Sequence, residues 1–149
     1  MTVTKRETSE TSIRVELKTG GGVTRAETGN GFLDHMLSAF ARYSGLTLDV
    51  KASSDLKHHL VEDVALTLGR TFREIIPAGA ARYGNRVVPM DDALVQVSVD
   101  IGGRAYYEGP LPSRLYDHWM RSFSTEAGAT IHVDYVRGDN PQQCSTLCI

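Results

Sequence analysis

The chain has 149 residues, enough for one domain with a hydrophobic core. Apolar residues make up 41% and charged residues 23%, the balance of an ordinary folded protein. The net charge of −2 excludes a broadly basic surface for nucleic acid or anionic lipid, and no apolar stretch nears the roughly 20 residues that span a bilayer.

The first residues, MTVTKRETSE, are polar and lack the apolar region of a signal peptide. Ile13, Val15 and Leu17 alternate with charged residues, which predicts a strand with one buried face, and Gly20-Gly21-Gly22 predicts a turn. After Asn30 and Gly31, the spacing of Phe32, Met36, Ala39, Phe40 and Tyr43 predicts a helix. Leu46, Leu48 and Val50 alternate again. From His58 to about Ile76 the apolar set Val61, Val64, Ala65, Leu68, Phe72 and Ile75 is helical, ended by Pro77 and Gly79.

The second half runs in the same order. Val95, Val97, Val99 and Ile101 alternate, and Gly102-Gly103 breaks the strand. Pro112 and Ser113 open a helix that Gly128 stops, and Ile131, Val133 and Tyr135 alternate. At a shift of 83 residues, Asp34-His35 falls on Asp117-His118, Gly45 on Gly128 and Leu48 on Ile131. The pattern reads as an internal duplication. The expected fold is α+β: two similar halves, each a β-sheet with helices on one face. We expect a single domain over 1–149, with repeats at about 7–80 and about 81–149.

The chemistry concentrates in SSDLKHHLVEDVAL. On a helix His58 and Glu62 share a face, as do His59 and Glu62. His58 and His59 point about 100° apart at roughly 3.6 residues per turn, so they suit two metals better than one. Imidazole with carboxylate favours Mn, Fe, Zn or Ni over Ca, and Asp63 is placed to hold one ring from behind. The same stretch also fits a polar helix start, with acidic residues drawn by the helix dipole. His35 beside Asp34, and His132 on the solvent face of a strand, add to the metal reading, although a lone strand histidine is more often structural. His118 shows no partner in the sequence and is taken as structural. Arg82 and Arg104, each beside glycine, read either as surface arginines or as phosphate-gripping forks. Glu10 reads as a surface carboxylate or a general acid/base. Cys144 and Cys148 fall in the last six residues and cannot staple a core; they read as an unpaired tail in a reducing, cytoplasmic setting.

RETSETSIRVEL, TGNGFLDHML, DLKHHLVEDVALTLGR, RYGNRVVPMDDAL and the strand leading into GGR, in this order, resemble the imidazoleglycerol-phosphate dehydratase family of histidine biosynthesis. The resemblance runs from about Arg6 to Asn140. It implies a duplicated α+β fold, two manganese ions per site, and self-association into a homo-oligomer of about two dozen subunits with sites at subunit contacts. It implies metal ligands at His35, His58, His59, Glu62 and His132, phosphate contacts at Arg82 and Arg104, and Glu10 as the acid/base. The implied substrate is a small phosphorylated imidazole, with no nucleic acid or membrane partner.

The resemblance weakens after Gly138-Asp139-Asn140. The family pattern continues with a second HHxxE motif, then a helix bearing a phosphate-binding lysine. Here PQQCSTLCI follows: Gln142 and Gln143 stand at the histidine positions and Thr146 at the glutamate position. An amide binds transition metals far more weakly than imidazole. The expectation is an incomplete second repeat and a half-built site with little turnover. The alternative is a non-catalytic relative acting as a metal-binding or structural assembly module.

Overall fold

The computed structural model describes residues 1–109, 111 and 113–138. The first half forms β1 (Thr2–Glu7), β2 (Thr11–Thr19), β3 (Arg25–Glu27), α1 (Gly31–Ser44), β4 (Leu46–Ser54) and α2 (Lys57–Ile75). The second forms β5 (Tyr83–Met90), β6 (Ala93–Ile101), β7 (Tyr106–Glu108), α3 (Arg114–Ala127) and β8 (Ala129–Arg137). Each half builds a four-stranded sheet, in the orders β1-β2-β4-β3 and β5-β6-β8-β7. In both, the outer pairs differ: β1-β2, β2-β4, β5-β6 and β6-β8 are antiparallel, and β3-β4 and β7-β8 are parallel. The predicted α+β duplication is what the chain adopts.

The 83-residue shift carries α1 onto α3 and β4 onto β8 without a gap. Both helices have 14 residues, and both end at a left-handed glycine, Gly45 at φ 69° and Gly128 at φ 62°. Only glycine takes that turn without a Cβ penalty. Asp34 and Asp117 hold equivalent places in the first helical turns and tie each helix to the chain before it, with different partners. Asp34 accepts from the Thr28 amide (2.9 Å) and hydroxyl (2.7 Å), and Asp117 accepts from the Tyr107 hydroxyl (2.9 Å). His35 and His118, one residue on, are left exposed.

Alternation decides which face is buried. Ile13, Val15 and Leu17 of β2 and Leu48 and Val50 of β4 are at most 1% exposed, and they meet Val61, Val64 and Leu68 of α2. Each such side chain contributes about 1.5–3 kcal/mol on burial. The second half joins this core through Val95, Trp119, Phe123, Ile131 and Val133. The register sets Val15 opposite Val50 and Val97 opposite Val133, so like faces match across each central pair. Among the described residues no helix covers the second sheet as α2 covers the first. There an apolar groove of about 210 Å³ lies open between Val97, Val99, Ile131, Trp119, Phe123 and Phe72.

α2 tolerates two buried threonines because their hydroxyls donate back along the helix, Thr67 to the Asp63 carbonyl and Thr71 to the Thr67 carbonyl, both at 2.7 Å. Asp63 departs from expectation. It does not back a histidine ring; it accepts from Arg6 Nε (2.8 Å) and from the Thr11 hydroxyl, which ties the β1–β2 hairpin to α2. The carboxylate is nearly buried while Arg6 stays 43% exposed, so solvent screens part of the ion pair. Asp63→Ala is expected to cost about 1–3 kcal/mol, by removing the carboxylate that joins Arg6 and the Thr11 hydroxyl to α2 while Thr11 keeps only its Thr8 partner, measured as a lower urea midpoint with unchanged slope.

Candidate functional site

The site grows from the junction of the β1–β2 turn with the start of α2. The Thr8 hydroxyl pins that turn, accepting from the amides of Glu10 (3.1 Å) and Thr11 (2.9 Å). The Asp55 amide donates to the Glu10 carbonyl at 3.2 Å, which brings the turn against the chain entering α2. That entry has no side-chain cap: Leu56 sits at the capping position in extended conformation. The Ser54 hydroxyl fixes the approach to it, accepting from the Leu56 amide at 3.3 Å.

His58 and His59 follow on the first turn. Their rings lie 4.0 Å apart between centroids, inclined by 62°, so their nitrogens are aimed differently, as the helical step predicts. His59 Nδ1 lies 3.0 Å from Asp55 Oδ1 and 3.3 Å from Glu10 Oε2. Both neighbours are carboxylates, which only accept, so Nδ1 carries the proton and donates. The hydrogen bond with Asp55 raises the His59 pKa above its ordinary value, and the Glu10 and Asp63 charges add to the rise. The same bond holds the Asp55 carboxyl below its ordinary range. Among the described residues Glu10, Asp55 and His59 form the one group of three ligand-type side chains close enough to share an ion.

Glu62 has a partner that the sequence did not disclose. Its Oε1 lies 3.2 Å from His118 Nε2, across the α2–α3 contact, so His118 is not an isolated structural histidine. His35 stands exposed on α1. His132 is exposed on β8, opposite Ser98 of β6, with its ring 5.6 Å from that of Tyr106. The five predicted metal ligands therefore do not close into one cluster within a single chain. Asp55 was missed: it precedes the helix, and its reach to His59 depends on the extended Leu56 backbone. The only signal was its four-residue spacing from His59.

At the other end of α2, Arg82 makes a two-bond fork with Asp100, Nε to Oδ1 at 2.7 Å and Nη2 to Oδ2 at 3.1 Å. Arg82 also lies over the Tyr83 ring. The fork lowers the Asp100 pKa. Gly103 packs against that carboxylate so closely that a Cβ there would lie 2.7 Å from Oδ2. Arg82, Arg73, Gly102 and Gly103 line an open cavity of about 390 Å³. Arg104 is exposed and outside that lining, and its carbonyl accepts from the Thr130 hydroxyl at 2.7 Å. Gln142, Gln143, Thr146, Cys144 and Cys148 lie outside the described residues.

With both carboxylates of this trio gathered at Nδ1 and its proton, a divalent transition cation fits on the other ring nitrogen of His59. His59 spends Nδ1 on carboxylates and keeps Nε2 without a partner among the described residues, the usual state of a metal-binding imidazole. Fold and site together define a duplicated α+β protein with a histidine–carboxylate cluster at a helix start.

The family profile for imidazoleglycerol-phosphate dehydratase matches residues 28–148. The chain is 41% identical to the imidazoleglycerol-phosphate dehydratase of Methylibium petroleiphilum, over 96% of this chain and 80% of that protein. It is 41% identical to that of Pyrobaculum aerophilum, over 91% and 81%. A crystal structure of the Pyrococcus furiosus protein superposes with a TM-score of 0.85 at 37% identity, covering 97% of this chain and 86% of that one. The Staphylococcus aureus structure gives 0.87 at 30% identity, covering 99% and 90%. The chain belongs to the imidazoleglycerol-phosphate dehydratase family, a family of hydro-lyases.

Proposed function

We propose that the chain removes water from imidazole glycerol phosphate to give imidazole acetol phosphate, in the histidine pathway, with manganese or a similar divalent ion. The observation that carries this reading is the orientation of His59, whose Nδ1 faces Asp55 and Glu10 while Nε2 is left free. His35, His58, Glu62 and His132 are proposed as further ligands. They come together only between chains, which is why we also propose self-association into a large homo-oligomer. We place the protein in the cytoplasm; no helix among the described residues is long and apolar enough to cross a membrane.

A bound divalent ion would supply Lewis acidity and a template for the imidazole nitrogens. The protein's own groups do the rest. Glu10 is the acid/base candidate, on a pinned turn 3.3 Å from His59. A base takes the ring N–H proton, and the electron density pushes out the hydroxyl beside the ring, which leaves as water with a proton from the acid/base group. The neighbouring carbon then gives up its proton as the ring nitrogen regains one, so the net loss is one water. The enol then becomes the ketone. Arg82 and Arg104 take the phosphate. The Asp100 fork leaves Arg82 Nη1 free, so the guanidinium is already aimed. Arg82→Lys keeps the charge and loses the fork, and is expected to weaken inorganic phosphate binding about tenfold in calorimetric titration.

Gln142 and Gln143 favour a second reading, a metal-binding or assembly module with little turnover. The deciding experiment incubates the chain with imidazole glycerol phosphate and excess manganese, beside the triple variant Gln142→His, Gln143→His, Thr146→Glu. We expect slow turnover from the chain as written and tighter manganese binding in the variant. Neither metal binding nor product from either protein would overturn the dehydratase reading in favour of the module.

A further inference from the structure

Three carboxylates stand around His59, and the geometry separates their roles. Asp63, four residues on along α2, has both oxygens engaged by Arg6 and Thr11. Glu10 lies 3.3 Å from Nδ1, on an exposed turn, and its side chain is 53% accessible. Asp55 makes the shorter contact, 3.0 Å, and although its side chain is 49% accessible it is the better anchored of the two that face Nδ1. Its Oδ1 accepts from the Ser54 hydroxyl at 3.3 Å, and its amide is fixed to the Glu10 carbonyl. It enters the same helix that carries His59, so the two move together. The entry to α2 lacks any side-chain cap, and the acidic group beside it is turned onto the imidazole instead.

In water a neutral imidazole side chain favours the proton on Nε2, which blocks that nitrogen as a ligand. A carboxylate at Nδ1 reverses the preference, because it stabilises the tautomer that donates to it. We propose that Asp55 is a positioning residue: it holds His59 as the Nδ1–H tautomer and so presents Nε2, unprotonated and correctly turned, to a divalent cation. This rests on the metal reading given under Proposed function. It also leaves Glu10 uncommitted, as an acid/base group must be.

The test uses the full chain labelled with nitrogen-15 in its imidazoles, free of metal, above the pH at which His59 loses its charge. Long-range proton–nitrogen correlation reads the tautomer directly, and manganese titration reads the affinity. We expect Nδ1–H in the wild type and a shift toward Nε2–H in Asp55→Ala, with manganese affinity falling about 10- to 100-fold. Asp55→Asn keeps an oxygen acceptor for Nδ1–H and should retain the tautomer, a rescue that a merely structural role would not produce. Nε2–H in the wild type, or a tautomer and affinity unchanged in Asp55→Ala, would overturn the inference and leave the metal site standing. A wild-type chain that binds no manganese would overturn both.

Discussion

His59→Ala is expected to weaken manganese binding by at least about 100-fold, read by calorimetry or by the loss of free-ion signal in electron paramagnetic resonance. The scale follows from the ligand's place: losing a group that only orients a ligand already costs about 10- to 100-fold, and here the ligand itself goes. The fold should survive, because the ring is only partly buried and its contacts are surface hydrogen bonds. His118→Ala supplies the contrast. His118 occupies a Glu62 oxygen at 3.2 Å, so its removal frees a proposed ligand, and manganese affinity should hold or rise. A drop in His118→Ala as deep as in His59→Ala would make His118 a ligand and would redraw the site around the α2–α3 contact.

How much of this was legible depended on burial. β2, β4, β6 and β8 and the three helices each carry an apolar period, because each lays one face on the core, and all seven could be placed from the sequence. β1, β3, β5 and β7 could not. They flank the central strands, bury little, and so have no period to read; β5 accepts Pro89 because an edge strand need not donate on both sides. The spacing of His58, His59 and Glu62 marked the helix start correctly. It misjudged Asp63, which helical geometry puts beside His59 but which the β1–β2 hairpin captures. Asp55 and the Glu62–His118 pair were beyond a local reading, one depending on the extended Leu56 and the other on how α2 crosses α3.

That crossing sets the last prediction. Gly69→Ala is expected to destabilise the protein by about 2 kcal/mol or more, against the usual sign for this exchange. In a helix interior alanine ordinarily gains about 1 kcal/mol over glycine, since glycine has more backbone freedom to lose. Gly69 sits in the middle of α2, fully inside the packing, and α3 passes directly over it. A Cβ there would lie 2.7 Å from the Phe123 carbonyl oxygen and 3.1 Å from the Ala127 amide nitrogen. Both are backbone atoms of a hydrogen-bonded helix, so no rotamer change relieves the contact. Relief requires α3 to move away from α2, which opens the packing of Phe123 against Phe72 and Phe40. Overpacking of this kind costs about 1–3 kcal/mol, and with an unyielding neighbour the upper end applies and outweighs the propensity gain. Gly69→Val adds bulk and a poorer helix former and should cost more still. The measurement is the urea midpoint of each variant. Equal or higher stability in Gly69→Ala would mean that the two helices can separate at little cost, and that α2 and α3 do not hold the two halves together as closely as their contact implies.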